Sequence, residues 1–182
     1  MHQLVQLIPR RDSETKELIV DVETLHPAEL EARDIVSWRH MIAAQPAFAS
    51  PLMGPEFAQA VGAVRPDARV AIWRREGRPV GFLAHHLRSS GLARPIGAPL
   101  SDYHALIAAE PFDVRAALAE AGLGALRFRG LVDPLGMLGQ ATHTAHEAYV
   151  IALDDGADAY LEALRAQSAK RFKNYRRLEH KI

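Results

Sequence analysis

Two apolar runs joined by a short polar turn constrain the fold of this chain most strongly. Residues 69–74 (RVAIWR) and 79–87 (PVGFLAHHL) flank the four-residue segment REGR at 75–78. Runs rich in β-branched and aromatic residues that are separated by a glycine-containing turn are typical of a β-hairpin. The sequence therefore predicts an antiparallel strand pair within a central sheet.

The segments around this hairpin predict alternating helices and strands. Strands are predicted at 18–24, 92–99, 125–129 and 148–153, and helices at 28–44, 55–63 and 111–121. Prolines and glycines mark several of these boundaries, such as Pro55 at a helix start and Gly122 after a helix end. This order predicts a mixed α/β fold with helices on both faces of the sheet.

The last eighteen residues differ in charge from the rest of the chain. Residues 165–182 hold seven Lys or Arg and one acid, Glu179, although the whole chain has no net charge. Apolar residues recur there at helical spacing, and neither a glycine cap nor a proline stop follows. We expect a loose segment at 1–17, a domain at 18–155, and one basic helix over 156–182. That helix is expected to lead into a second half absent from this chain, with Phe172, Tyr175 and Leu178 left exposed.

Composition narrows the possible functions. Hydrophobic residues make up 48% and charged residues 24%, which is ordinary for a globular protein in water. The chain has no cysteine, which excludes disulfides, thiolate metal ligands and a cysteine nucleophile. Since no apolar run reaches the roughly 18 residues of a membrane span and no signal-peptide pattern is present, we expect a cytoplasmic location. Phe172 and Tyr175 lie on the apolar face of the tail helix, so packing explains them better than nucleic-acid binding.

One segment is similar to a phosphate-binding loop but lacks part of its chemistry. Residues 94–99 (RPIGAP) approach the pattern R-x-x-G-x-G/A, in which backbone N–H groups bind a pyrophosphate. Pro95 and Pro99 have no N–H group, and Pro99 adds a ring where a small residue is needed. The segment is therefore expected to be structural, and no cofactor is expected to bind this chain alone.

The histidines do not suggest a metal centre. His85 and His86 are adjacent on a predicted strand, so they should face opposite sides of the sheet and cannot hold one metal together. His143 and His146 have helical spacing, but Glu147 is the sole acid beside them. Hydrogen-bonded or solvated histidines are the better interpretation, and no metal is expected.

The densest polar cluster follows the degenerate loop. Ser101, Asp102 and Tyr103 precede His104, and polar and aromatic loop residues of this kind commonly line a cleft. Adjacent residues do not form a catalytic triad, because triad members converge from separate elements. Ser101, Asp102 and Tyr103 are substrate-cleft candidates, with turn capping by Ser101 and Asp102 as the alternative. No catalytic base can be assigned; Glu56 and Asp102 are candidates only through their sequence neighbours.

Four segments, in order, resemble the cellulose-biosynthesis-associated acetyltransferases of the GNAT superfamily. They are SPLMGPEF at 50–57, the hairpin with Gly81, GAPLSDY at 97–103, and the tail from Tyr160 to Arg177. The resemblance implies a GNAT-like mixed sheet and a protein built of two GNAT-like halves, of which this chain is the first. It further implies transfer of an acyl group from acetyl-CoA to an amine or hydroxyl acceptor, with the coenzyme held by the other half.

A non-catalytic role is the alternative to the acyltransferase. The chain could be a non-catalytic domain that docks a partner domain through its basic C-terminal helix. A downstream reading frame with a strand, an R-x-x-G-x-G/A loop and a helix would favour the acyltransferase.

Overall fold

The computed structural model describes residues 5–6, 21–142, 144, 151, 153–170, 173 and 177. The chain divides near residue 143 into two compact units. The first unit contains the sheet and three α-helices of the described residues, and the second contains one more α-helix. No helix in the described part of the chain is both long and apolar enough to cross a bilayer.

The first unit is built on a mixed sheet, which confirms the mixed α/β prediction. Seven strands occur in its described residues, in the order β1-β7-β5-β4-β3-β2, with β6 also paired to β4. The strands are β1 (Val5–Gln6), β2 (Asp21–Leu25), β3 (Ala68–Arg75), β4 (Arg78–Leu87), β5 (Leu92–Pro95), β6 (Ile107–Ala108) and β7 (Ala125–Leu126).

The predicted hairpin is confirmed as the centre of this sheet. Strands β3 and β4 pair antiparallel along their whole length, from Ala68 opposite His86 to Arg75 opposite Arg78. Both turn residues have a left-handed backbone: Glu76 has a φ of 51° and Gly77, which adopts this region without strain, a φ of 75°. A shift in register between Trp73 and Arg74 interrupts the ladder, as a β-bulge does.

Helices cover both faces of the sheet. Helix α1 (Ala32–Ala44) and helix α2 (Pro55–Gly62) pack on the face of β3 that carries Val70 and Ile72. Trp38 of α1 stacks on Phe82 with ring centroids 4.9 Å apart, and its Nε1 donates to the Met53 carbonyl oxygen at 3.0 Å. We call this side of the sheet the α1/α2 face.

The opposite face of the sheet is covered by the third helix. Helix α3 (Val114–Glu120) begins after Asp113, whose side chain accepts a hydrogen bond from the N–H of Ala116. Trp73 points to this side, and its Nε1 donates to the Ala117 carbonyl oxygen at 3.0 Å. Each face of the sheet therefore has its own apolar core, with one buried tryptophan in each.

Helix α3 also connects the two neighbouring parallel strands. Leu92 and Ala93 of β5 lie opposite Ala125 and Leu126 of β7 in a parallel register, whereas the other strand pairs are antiparallel. Parallel neighbours require a crossover connection, which α3 supplies. The long segment between β5 and α3 therefore starts at the carboxyl end of a strand.

One prediction at the N-terminus differs from the structure. Val5 and Gln6, from the segment expected to be loose, form β1 against β7. Local sequence did not indicate this pairing, because the partner strand lies about 120 residues away. The predicted strand at 148–153 falls mostly outside the described residues.

The single helix predicted for residues 156–182 is interrupted at Ser168 in the described part of the tail. Helix α4 spans Gly156–Gln167 and stops at Ser168, which has a φ of −156°. The described residues 169–170, 173 and 177 are helical again. Serine favours helix boundaries because its hydroxyl competes with the backbone for hydrogen bonds. Phe172, Tyr175 and Leu178, which were expected to be exposed, lie outside the described residues.

Candidate functional site

The polar loop that follows β5 is held down by a glycine. Gly97 has a φ of 74°, and a Cβ atom at this position would lie 2.7 Å from Cζ of Phe57 on α2. A side chain would therefore be both strained and in collision with α2. The peptide bond between Ala98 and Pro99 is cis. Gly97 thus allows the loop to lie directly against α2.

The backbone amides of this loop are used within the chain. Pro99 has no N–H group, and the other five N–H groups from Ile96 to Ser101 all have acceptors. A pyrophosphate cradle needs several free N–H groups that point at the ligand. In this conformation the loop offers none. The acceptors are the oxygens of Ala84 for Ile96, of Pro95 for Ala98, and of Gly97 for Leu100 and Ser101, and the His86 ring for Gly97.

His86 fastens the loop to the sheet. Its Nε2 accepts the Gly97 N–H at 3.1 Å, so the ring proton lies on Nδ1, which faces Asp67 Oδ1 at 3.4 Å. Burial lowers the pKa of His86, and the Asp67 carboxylate offsets part of that effect. A neutral imidazole with this tautomer holds the loop through an acceptor nitrogen.

Ser101 and His104 are buried together beneath the loop. The Ser101 hydroxyl donates to the Ile96 carbonyl oxygen at 2.9 Å, and its Oγ lies 3.5 Å from His104 Nε2. Burial lowers the pKa of His104 to about 4, so its ring is neutral near pH 7. The serine proton is directed to a carbonyl rather than to the histidine. The pair therefore lacks the geometry of an activated nucleophile.

The three substrate-cleft candidates do not gather in one place. Ser101 is buried and lines a cleft, whereas Asp102 is exposed and Tyr103 packs against the apolar core of the α1/α2 face. His104, not Asp102 or Tyr103, accompanies Ser101 in that cleft. Gly130 allows this arrangement, because a Cβ atom there would lie 2.0 Å from the Asp102 carbonyl oxygen.

Glu56 is poorly suited to act as a general base. Its carboxylate accepts a hydrogen bond from Nε of Arg39 at 2.6 Å and lies in the first turn of α2. A backbone hydrogen bond within its own residue is the main cause that lowers the pKa of Glu56, and Arg39 adds to it. A carboxylate with a lowered pKa is a weaker proton acceptor.

Sequence reasoning missed the most charged part of this region, which we call the arginine cleft. It is an open cleft beside the loop, and Arg94, Arg127 and Arg129 line it together with Ser101 and His104. Within residues 21–142, none of the three arginines forms an ion pair or a side-chain hydrogen bond. Three arginines therefore border one cleft, and no carboxylate from that range pairs with them.

Sheet register explains how these arginines meet. Ala93 lies opposite Leu126 in the parallel pair, so Arg94 and Arg127 follow as neighbours on one face. Arg94 also lies opposite His86 of β4, which assigns both arginines to the α1/α2 face. Arg129 follows Arg127 by two residues and lines the same cleft. A pattern R-x-R at 127–129 and Arg94 within a predicted strand are the signals that sequence offers.

His85 and His86 lie on opposite sides of the sheet, as strand alternation predicts. His85 is fully buried, its Nδ1 lies 3.1 Å from the Leu83 carbonyl oxygen, and burial lowers its pKa to about 4. The described residues contain no group of three metal-ligating side chains. His143 and His146 lie outside the residues whose structure is described.

Comparison with known proteins returned no match: no family model, no curated protein and no solved structure is significantly similar to this chain.

Proposed function

We propose that this chain is a GNAT-type acyltransferase domain that contributes to acyl transfer from acyl-CoA to an amine or hydroxyl acceptor without binding the coenzyme itself. The sequence resemblance motivates the reaction and a link to cellulose or exopolysaccharide biosynthesis. The order of β5, crossover helix α3 and parallel strand β7 supports a fold of this type, because open α/β sheets bind ligands at the carboxyl ends of such strands.

One observation carries the assignment of a non-coenzyme role. All five N–H groups between Ile96 and Ser101 are already hydrogen-bonded within the chain, at the position where a pyrophosphate would need them. To free them, the loop would have to give up its bonds to β4 and to His86. Each lost bond of a buried group costs about 1–3 kcal/mol, so coenzyme binding by these amides is disfavoured.

Calorimetric titration of the 182-residue chain with acetyl-CoA tests this role. We expect no binding tighter than millimolar. Micromolar binding that disappears in Gly97→Ala would show that the loop is a functional cradle and would contradict the proposal. The product of the gene's complete reading frame should be assayed in parallel for thiol release from acetyl-CoA with amine and hydroxyl acceptors.

A docking domain is the second candidate, and one observation favours it. Residues 144–182 form a compact unit of their own, and this unit contains α4 and the basic tail. If the protein encoded by the complete reading frame neither binds acetyl-CoA nor releases thiol from it, the acyltransferase proposal fails. A domain that docks a partner through the basic helix would then be the better assignment.

A further inference from the structure

We propose that the arginine cleft is a binding site for a phosphoryl group carried by an organic ligand. This site is separate from the loop amides and does not depend on the acyltransferase assignment. It rests on the placement of Arg94, Arg127 and Arg129 around one cleft at the carboxyl ends of β5 and β7.

The arrangement is unfavourable for the domain without a ligand. Arg94 and Arg127 are side by side on neighbouring strands, and like charges in such positions destabilise a sheet. Both side chains are half-buried, so water screens their repulsion less than it would at a fully exposed site. No carboxylate of residues 21–142 forms an ion pair with them. An anion in the cleft would remove this repulsion.

The chemistry of the groups selects a phosphoryl ligand. A guanidinium is a planar donor that binds two oxygens of a phosphate at once, and three of them match the charge of a phosphate or diphosphate group. Phe128 and Pro95 form an apolar part of the cleft wall, which lowers the local dielectric constant and strengthens charged hydrogen bonds. A monocarboxylate would satisfy fewer of these donors.

Buried neighbours hold the cleft in shape. Ser101 is 8% exposed and His104 6% exposed, and the loop that carries them is hydrogen-bonded to Gly130 and Val132 on the other side of the cleft. The backbone N–H of His104 donates to the Gly130 carbonyl oxygen at 3.0 Å, and the backbone N–H of Val132 donates to the His104 carbonyl oxygen at 2.8 Å. The cleft is therefore preorganised, which reduces the entropy cost of binding.

Titration of the full chain with sodium pyrophosphate at low ionic strength tests the proposal, with inorganic phosphate and malonate as comparison ligands. We expect pyrophosphate to bind more tightly than phosphate and both more tightly than malonate. Arg127→Gln and Arg94→Gln should each weaken pyrophosphate binding about ten- to hundredfold, because each removes a charged hydrogen bond. Arg78→Gln is the matched control, since it removes one exposed arginine at the opposite end of β4.

Three results would overturn the proposal. They are no pyrophosphate binding by the wild type, an equal loss of affinity in Arg78→Gln, and tighter binding of malonate than of pyrophosphate. If Arg94→Gln or Arg127→Gln fails to fold, Arg129→Gln applies the same test at an exposed position. If acetyl-CoA binds with the same arginine dependence, the phosphoryl site is confirmed, whereas the non-coenzyme role proposed above fails.

Discussion

Arginines at two places on one sheet face have opposite electrostatic surroundings. Arg74 of β3 donates to both oxygens of Asp34 at 2.8 Å and to Glu23 at 2.9 Å. Arg94 and Arg127, further along the same face, have no carboxylate partner within residues 21–142. The first place is closed by α1 and β2, whereas the second opens into a cleft. The difference separates a charge used for packing from charges left available to a ligand.

The Arg74–Asp34 pair joins three elements. Asp34 is fully buried in the first turn of α1, and Arg74 reaches it from β3 while it also contacts Glu23 of β2. Hydrogen bonds with Asp34 are the main cause that raises the pKa of Arg74, so the guanidinium stays charged at any pH of interest. A buried pair of this kind is costly to break from one side, because the remaining charge is left without a partner.

Asp34→Ala should have the largest effect on stability. It leaves Arg74 with one exposed carboxylate partner, and we expect the free energy of unfolding to fall by about 3–5 kcal/mol. Urea denaturation followed by circular dichroism measures this loss. The control is Glu23→Gln, whose side chain is 54% exposed and should cost no more than about 1 kcal/mol. Equal losses for the two variants would show that burial does not distinguish the partners.

Acidification should lower the stability of the folded chain, because His104 beside the arginine cleft is buried in its neutral form. Its pKa is about 4 in the folded chain and about 6.5 in the unfolded chain, so the unfolded state binds more protons between these values. The contribution of neutral, buried His104 to the free energy of unfolding is complete above pH 6.5 and is lost as the pH falls toward 4. The loss is on the order of 3 kcal/mol for this residue.

Denaturation midpoints measured from pH 7 to pH 4 check the histidine effect. His104→Asn should flatten the decline, although His85, with a pKa also lowered to about 4, keeps part of it. If the denaturation midpoint of His104→Asn falls with pH as steeply as that of the wild type, His104 does not cause the loss of stability in acid.

Gly97→Ala tests whether the loop beside the cleft depends on contact with α2. The new Cβ would meet the Phe57 ring and would force a left-handed alanine, and we expect a loss of about 2–3 kcal/mol. Gly77 also has a positive φ, but a Cβ atom there would meet open space. Gly77→Ala should therefore lower the free energy of unfolding by only about 1 kcal/mol. Thermal unfolding of both variants measures the difference. Equal melting temperatures would mean that the contact with Phe57 is readily relieved.

Arg127→Gln should have the smallest effect on the ligand-free chain. Removal of one of two neighbouring like charges should leave stability unchanged or raise it by about 0.2–1 kcal/mol. A urea titration without phosphate, beside the same titration of Arg78→Gln, measures this change. A clear loss of stability would show that Arg127 has a structural role, unlike the role assigned to it here.

Sequence was sufficient where structure depends on near neighbours. The hairpin of β3 and β4 follows from two apolar runs and Gly77, and the start of α2 follows from Gly54 and Pro55. The opposite orientation of His85 and His86 follows from strand alternation alone.

Sequence was not sufficient where distant segments meet. The neighbouring positions of Arg94 and Arg127 depend on the register between β5 and the two-residue strand β7, which α3 sets across some thirty residues. The end of α4 at Ser168 was missed for a different reason. An apolar period that continues beyond residue 168 outweighed a single polar residue on the same face.

The two buried tryptophans give each layer of this domain its own optical reporter. Trp38 and Trp73 are the two tryptophans of the chain, and they lie in the cores on opposite faces of the sheet. Trp38→Phe leaves emission from the α3 side, and Trp73→Phe leaves emission from the α1/α2 face. Time-resolved fluorescence of the two variants can therefore show whether the layers lose their packing together or one after the other.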